Sequence, residues 1–120
     1  MNNEVKEKWG NTETYKEYQE KTRNYSKNTW DSLTNGLEDI LNEFFILMNN
    51  GVKSDSEDSL NLVKKLQDFI SQNYYTCSTE ILYGLGQMYV CDERFKKNID
   101  KFGMGTAEYI QSAINSYCNK

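Results

Sequence analysis

The chain of 120 residues contains no histidine and no proline. Without histidine, a His-ligated haem, a His-based zinc site, a Ser–His–Asp triad and a Cys–His nucleophile are excluded. Few enzyme mechanisms remain, and we expect no catalytic residue, no metal and no cofactor. Because proline is the residue that most strongly breaks a helix, its absence favours an all-α fold in which glycines supply the breaks.

The chain also lacks paired cysteines and an excess of basic charge. Cys77, Cys91 and Cys118 are odd in number and lack the close paired spacing of a zinc site, so we expect reduced thiols in a cytoplasmic protein. The formal net charge of −4 opposes direct nucleic-acid binding by this chain. No apolar run approaches the roughly 18 residues that cross a bilayer, and the first ten residues lack the apolar core of a signal peptide, so we expect no membrane partner.

The length and composition fit one domain over residues 1–120. Hydrophobic residues make up 38% of the chain and charged residues 27%, which is typical of a folded protein. The distribution of large side chains divides the domain into an N-terminal segment, residues 1–25, and a core, residues 26–120.

Apolar residues recur at three- and four-residue spacing through the core, which is the pattern of buried helix faces. The clearest stripe predicts a helix over 27–50, with Ser26 as N-cap and Gly51 as a left-handed stop. The other core helices are predicted from a Ser54–Glu57 capping box to about Asn73, from a cap at Ser78 or Thr79, from a cap at Asp92 to a stop at Gly103, and over 106–117.

The N-terminal segment is rich in aromatic side chains with polar tips, at Trp9, Tyr15, Tyr18 and Tyr25, and poor in aliphatic ones. We predict two helices here, over 3–9 and 12–25, with Thr12 as a cap. Such side chains suit a surface that is dry on one side and wet on the other. One hypothesis is a mobile lid that orders over a ligand; the alternative is a helix pair packed permanently on the core.

Residues 74–100 combine tyrosines, thiols, a thioether and small glycines, which suits the binding of a bulky apolar ligand better than acid–base chemistry. Cys77 precedes a predicted helix start, where the helix dipole favours a reactive thiolate; the alternative is a small buried apolar residue. Met88 is equally consistent with a pocket and with the core. Gly84 and Gly86 make close approach of a ligand or a neighbouring backbone possible.

Long segments of the chain resemble the TipAS antibiotic-recognition domain found at the C-terminus of MerR-family transcriptional activators. The segments are EVKEKWGNTETYKEYQEKTRNYSKNTW at 4–30, YYTCSTEILYGLGQMYVCDERFKKNID at 74–100 and AEYI at 107–110. The resemblance implies a globin-like helical domain without haem. It also implies a cleft for thiopeptides or other bulky amphipathic drugs, closed by an N-terminal part that orders on binding.

The resemblance also bears on the chemistry of binding. Cys77 aligns with a cysteine of the family, whereas Gly84 stands where some members carry a second cysteine, so we expect noncovalent binding. The expected ligand-binding residues are Trp9, Tyr15, Tyr18, Tyr75, Cys77, Gly84, Leu85, Met88 and Tyr89.

The leading hypothesis is therefore a small-molecule antibiotic receptor involved in antibiotic resistance. It acts as the sensor module of a regulator with a fused or associated helix-turn-helix domain, or, as a freestanding domain, by sequestering the drug. The chain begins at Met1 without such a domain, so we expect no transcription activation by this chain alone. The alternatives are a helical protein–protein interaction module without a small-molecule ligand, and a cysteine-dependent enzyme that uses Cys77 as nucleophile.

Overall fold

The computed structural model describes residues 13–119, and within this range the fold is all-α, with six helices and no strand. The predicted helix over 3–9, the Thr12 cap and Trp9 lie outside the described residues. The helices are α1 (Glu13–Thr22), α2 (Lys27–Asn49), α3 (Glu57–Asn73), α4 (Thr79–Cys91), α5 (Glu93–Asp100) and α6 (Thr106–Cys118).

Three predicted N-caps are confirmed. The hydroxyl of Ser26 accepts a hydrogen bond from the Thr29 amide at 3.1 Å, and that of Ser78 accepts one from the Ile81 amide at 3.2 Å. Asp92 caps α5 in the same way. In each case an extended residue turns its side-chain oxygen onto an amide that has no partner within the helix.

Three predicted helix boundaries are wrong. Helix α1 ends at Thr22 rather than at Tyr25. The N-cap of α3 is Ser56 rather than Ser54, because Ser56 has the extended backbone that directs its hydroxyl to the Ser59 amide. Helix α5 ends at Asp100, before Gly103. Gly103 serves close packing instead, since a Cβ there would overlap the Phe45 ring.

Helix α6 is the centre of the packing, since it lies against α2, α3, α4 and α5. Its most extensive contact is with α4, while α2 packs mainly on α3. The fully buried large side chains come from four of these helices and are Phe44, Val63, Leu66, Leu82, Ile110 and Ile114. Within residues 13–119, no helix has the length and apolar character needed to cross a membrane.

Candidate functional site

Helix α1 meets the rest of the molecule at the linker between α3 and α4, residues 74–78. The rings of Tyr18 and Tyr75 contact each other edge to face, with centroids 6.4 Å apart. Tyr15 is partly buried on the same helix. Tyr18 on α1 and Tyr75 at the start of the 74–100 segment therefore come together.

A polar contact fastens α1 beside this ring pair. The carboxylate of Glu17 accepts hydrogen bonds from the Thr76 backbone amide at 2.7 Å and from the Thr76 hydroxyl at 2.8 Å. We call this pair the Glu17–Thr76 clasp. The hydrogen bond that Glu17 accepts from the Thr76 backbone amide is the main cause that holds the pKa of Glu17 below its ordinary value. The Thr76 hydroxyl and Lys21 act in the same direction.

Lys21 extends the contact to the end of α3. Its ammonium lies 3.4 Å from a Glu17 carboxylate oxygen and donates a hydrogen bond to the Ser71 carbonyl at 2.5 Å. One turn of α1 thus contacts both the last turn of α3 and the linker that follows it.

Aromatic rings anchor the turn between α1 and α2 on the same region. The Tyr25 hydroxyl donates to the Asn73 carbonyl at 2.6 Å. Trp30 lies between two rings, edge to face with Tyr25 at 5.3 Å and stacked on Tyr74 at 6.2 Å between centroids. These contacts hold the C-terminal end of α1 near the linker.

The core beside the linker contains three buried residues with titratable side chains. They are Tyr75, Cys77 and Tyr89, with 9%, 3% and 8% of their surfaces exposed. Burial raises the pKa of Cys77 to about 11 and that of Tyr89 to about 12, and it raises the pKa of Tyr75 as well. All three groups are therefore neutral near pH 7. Of the two readings of Cys77, the structure favours the small buried apolar residue over the reactive thiolate, because burial disfavours the charged thiolate.

Hydrogen bonds hold the Cys77 backbone firmly. Its amide donates to the Ser71 hydroxyl at 3.0 Å, and its carbonyl accepts from the Gln67 side chain at 2.8 Å. Gln67 is in turn oriented by the Tyr117 hydroxyl at 2.9 Å. The linker that α1 contacts is therefore itself hydrogen-bonded to α3 at Cys77.

The two glycines of α4 differ in surroundings. Gly84 is exposed, and a Cβ built there would meet nothing within 4 Å. A Cβ at Gly86 would lie 3.2 Å from Ile114 Cγ2, so Gly86 serves the close packing of α4 on α6. Leu85 packs on the core, and Met88 is partly buried.

Two open grooves lie elsewhere, between α2 and α3, with volumes of about 460 and 360 Å³. Neither groove is lined by a residue expected at the ligand site. Sequence reasoning missed these grooves and the Glu17–Thr76 clasp. The four-residue spacing of Glu17 and Lys21 was a visible signal for their ion pair, but no sequence pattern indicates a partner 59 residues away.

The described site residues bring partly buried and buried aromatic rings together, and the Cys77 thiol among them is buried. Within residues 13–119, no three His, Cys, Asp or Glu side chains are grouped so that they could hold a metal ion.

The sequence of the chain is similar to those of known proteins. The profile described as the TipAS antibiotic-recognition domain matches residues 2–117. The HTH-type transcriptional activator TipA of Streptomyces coelicolor is 39% identical over 111 residues, which are 92% of this chain and 44% of that protein. The HTH-type transcriptional activator mta of Bacillus subtilis is 31% identical over 116 residues, which are 97% of this chain and 44% of that protein. The chain thus spans less than half the length of these relatives.

Solved structures are similar over most of the fold. TipAS from a thiopeptide antibiotic multidrug resistance system of Streptomyces lividans, in complex with nosiheptide, superposes with a TM-score of 0.85 at 37% identity, covering 98% of this chain and 82% of that one. The antibiotic-binding domain of a TipA-class multidrug resistance transcriptional regulator gives a TM-score of 0.68 at 33% identity, covering 72% of this chain and 93% of that one.

Proposed function

The chain belongs to the TipAS antibiotic-recognition domain family, and on that basis we propose that it binds a bulky amphipathic antibiotic, thiopeptide-like or of another class. The observation that carries the proposal is the likeness to TipAS in complex with nosiheptide, which extends over 98% of this chain and so includes α1 as well as the core. A family of antibiotic-recognition domains is a family of binding modules rather than enzymes.

We place the ligand between α1 and α4. Tyr18 lies on the α1 side, where its ring contacts that of Tyr75, and Gly84 leaves open space on the α4 side. Aromatic side chains with polar tips suit a ligand that is apolar in body and polar in places. The remaining proposed contacts come from Trp9, Tyr15, Leu85, Met88 and Tyr89, with Cys77 as a buried support.

The binding we propose is noncovalent. Cys77 is almost fully buried and protonated at neutral pH, so it is a poor nucleophile. Gly84 carries no thiol at the position where the family resemblance led us to look for a second cysteine. Affinity would then depend on contact area and on the fit of the ligand.

We further propose that residues 1–25 act as a lid over a globin-like helical core. The support is that α1 rests on the linker, residues 74–78, and is not one of the helices in the extensive packing around α6. A helix that makes few contacts with the core can leave and return without disrupting it.

In a cell, we propose a cytoplasmic role as the effector module of a transcriptional regulator. The support is that both similar relatives are HTH-type transcriptional activators of which this chain corresponds to 44%. Fused to or associated with a helix-turn-helix domain, the module would act as a drug sensor; acting alone, it would lower the free drug concentration. Ligand binding shifts a regulator only by its differential affinity for two states.

Calorimetric titration with nosiheptide tests the proposed site. We expect saturable 1:1 binding, and a loss of at least about tenfold in affinity for Gly84→Leu, because the added side chain fills the open space. The matched control is Asn42→Leu, which adds the same side chain at an exposed position of α2. No binding by the wild-type chain would overturn the proposal and favour a protein–protein interaction module instead.

A further inference from the structure

We propose that the Glu17–Thr76 clasp holds α1 in its closed position and that Glu17 is the residue that sets the closed fraction of the free protein. The inference rests on the proposed function, because it assigns the control of the lid at that same site. It makes Glu17 a positioning residue, which acts on the ligand through α1 rather than by touching it.

The Glu17–Thr76 clasp consists of two hydrogen bonds. Each oxygen of the Glu17 carboxylate accepts one hydrogen bond from Thr76, one from the backbone amide and one from the side-chain hydroxyl. Two hydrogen bonds to one ionised acceptor fix orientation as well as distance, and bonds to charged groups are stronger than neutral ones. The clasp therefore holds α1 in one register against the linker.

Helix α1 makes further contacts through Tyr18 and Lys21. Tyr18 meets Tyr75 through a ring edge, and Lys21 bonds the Ser71 carbonyl while also pairing with Glu17. The Glu17 carboxylate is thus common to two of the polar contacts. Removal of this carboxylate would break the hydrogen bonds to Thr76 and the ion pair with Lys21 together.

The side chains of Glu17 and Lys21 are partly exposed to solvent. The side chain of Glu17 keeps 30% of its surface exposed and that of Lys21 keeps 33%, so water competes for both. A partly solvated clasp can open without leaving a buried charge unpaired, unlike a charge pair in the core. This is the property needed by a contact that must break and re-form during binding.

The consequence for binding follows from population arithmetic. If only the closed state completes the site, the apparent dissociation constant equals the intrinsic one divided by the closed fraction. A variant that opens α1 then binds more weakly, although no ligand contact has been removed.

Amide exchange of the free protein tests the clasp directly. We expect Glu17→Ala to speed exchange of the α1 amides by about tenfold, which is the scale of a lost exposed hydrogen-bond pair. Glu20→Ala is the matched control, since Glu20 is an exposed acid on the same helix. Equal effects of the two variants would overturn the proposal, because loss of helix propensity would then explain both.

The partner side of the clasp supplies a second test. Thr76→Val removes the hydroxyl and keeps the shape, so it should speed α1 exchange, whereas Thr76→Ser should restore slow exchange. In the Glu17→Ala background, Thr76→Val should have little further effect, because its acceptor is already gone. Additive effects in the double variant would contradict the clasp.

Nosiheptide titration separates this inference from the proposed function. We expect Glu17→Ala to weaken nosiheptide binding by about as much as it lowers the closed fraction, while Glu20→Ala binds like wild type. Unchanged affinity of Glu17→Ala, despite faster α1 exchange, would show that closure does not control binding. If wild type does not bind nosiheptide, the proposed function fails, and the exchange data still decide whether the clasp holds α1.

Discussion

At the scale of single residues, Cys77 shows that burial decides the chemistry of a thiol. It stands next to the N-cap of α4, where the helix dipole favours a thiolate, yet only 3% of its surface is exposed. Burial raises its pKa to about 11, with the nearby Cys118 adding to the shift. Position at a helix start is readable from the sequence, but the depth of the side chain depends on how distant helices pack.

Alkylation rates test this account of Cys77. The rise in pKa from 9.0 to about 11 leaves roughly a hundredfold less thiolate at pH 8. We therefore expect iodoacetamide to modify Cys77 at least about a hundredfold more slowly than the exposed Cys91, as followed by peptide mass spectrometry. The control is the unfolded chain in guanidinium, in which both should react alike. Equal rates in the folded protein would contradict the burial of the thiol.

Glu17 gives a pH-dependent prediction at the same scale. Its hydrogen bonds to Thr76, and after them Lys21, lower its pKa from the ordinary 4.5. The ionised form therefore favours the docked helix: this stabilisation is present above about pH 4.5 and is lost as the pH falls through the lowered pKa. We expect the Thr76 amide NMR signal to shift with a midpoint below 4.5, and Glu17→Gln to abolish the shift. A midpoint at or above 4.5 would contradict the clasp.

At the scale of elements, α4 uses its two glycines for different ends. Gly86 allows α4 to approach α6 at Ile114, while Gly84 faces open space. Both glycines reduce the intrinsic stability of the helix. In the described structure, Gly86 has a packing role that offsets this cost, whereas the open space at Gly84 supports the ligand-binding role proposed for it.

Alanine substitutions separate the two roles. We expect Gly84→Ala to stabilise the protein by about 0.5–1 kcal/mol, because helix propensity improves and nothing lies within 4 Å of the new methyl group. Gly86→Ala should destabilise it by about 1 kcal/mol, since the methyl group would crowd the fully buried Ile114. Urea unfolding measures both free energies. Shifts of the same sign and size would contradict the packing described for α4 and α6.

Helices and their caps could be predicted largely from the sequence because they depend on neighbouring residues. The caps at Ser26, Ser78 and Asp92 each bond an amide two or three residues ahead. The prediction of Ser54 as the cap was wrong because Ser56 offers the same chemistry two residues later and has the extended backbone of an N-cap. A local pattern names the candidates and leaves the choice to tertiary packing.

At the scale of the whole molecule, contacts distant in sequence decide where α1 lies. The aromatic excess of the first 25 residues predicted a surface against a ligand or a core, and the structure joins α1 to the linker through Tyr18 and Glu17. The partners of these residues, Tyr75 and Thr76, could not be identified from spacing. The all-α fold could be predicted, whereas the position of one helix on another could not.

Amide exchange with and without saturating nosiheptide tests the proposal that an antibiotic binds between α1 and α4 with α1 as a lid. We expect exchange to slow by at least about tenfold in α1 and to be reduced in the linker and α4 as well, while the α2–α3 grooves are unaffected. It would be contradicted by unchanged exchange in α1 and α4, by equally strong protection of α1 in both states, or by protection confined to the α2–α3 grooves.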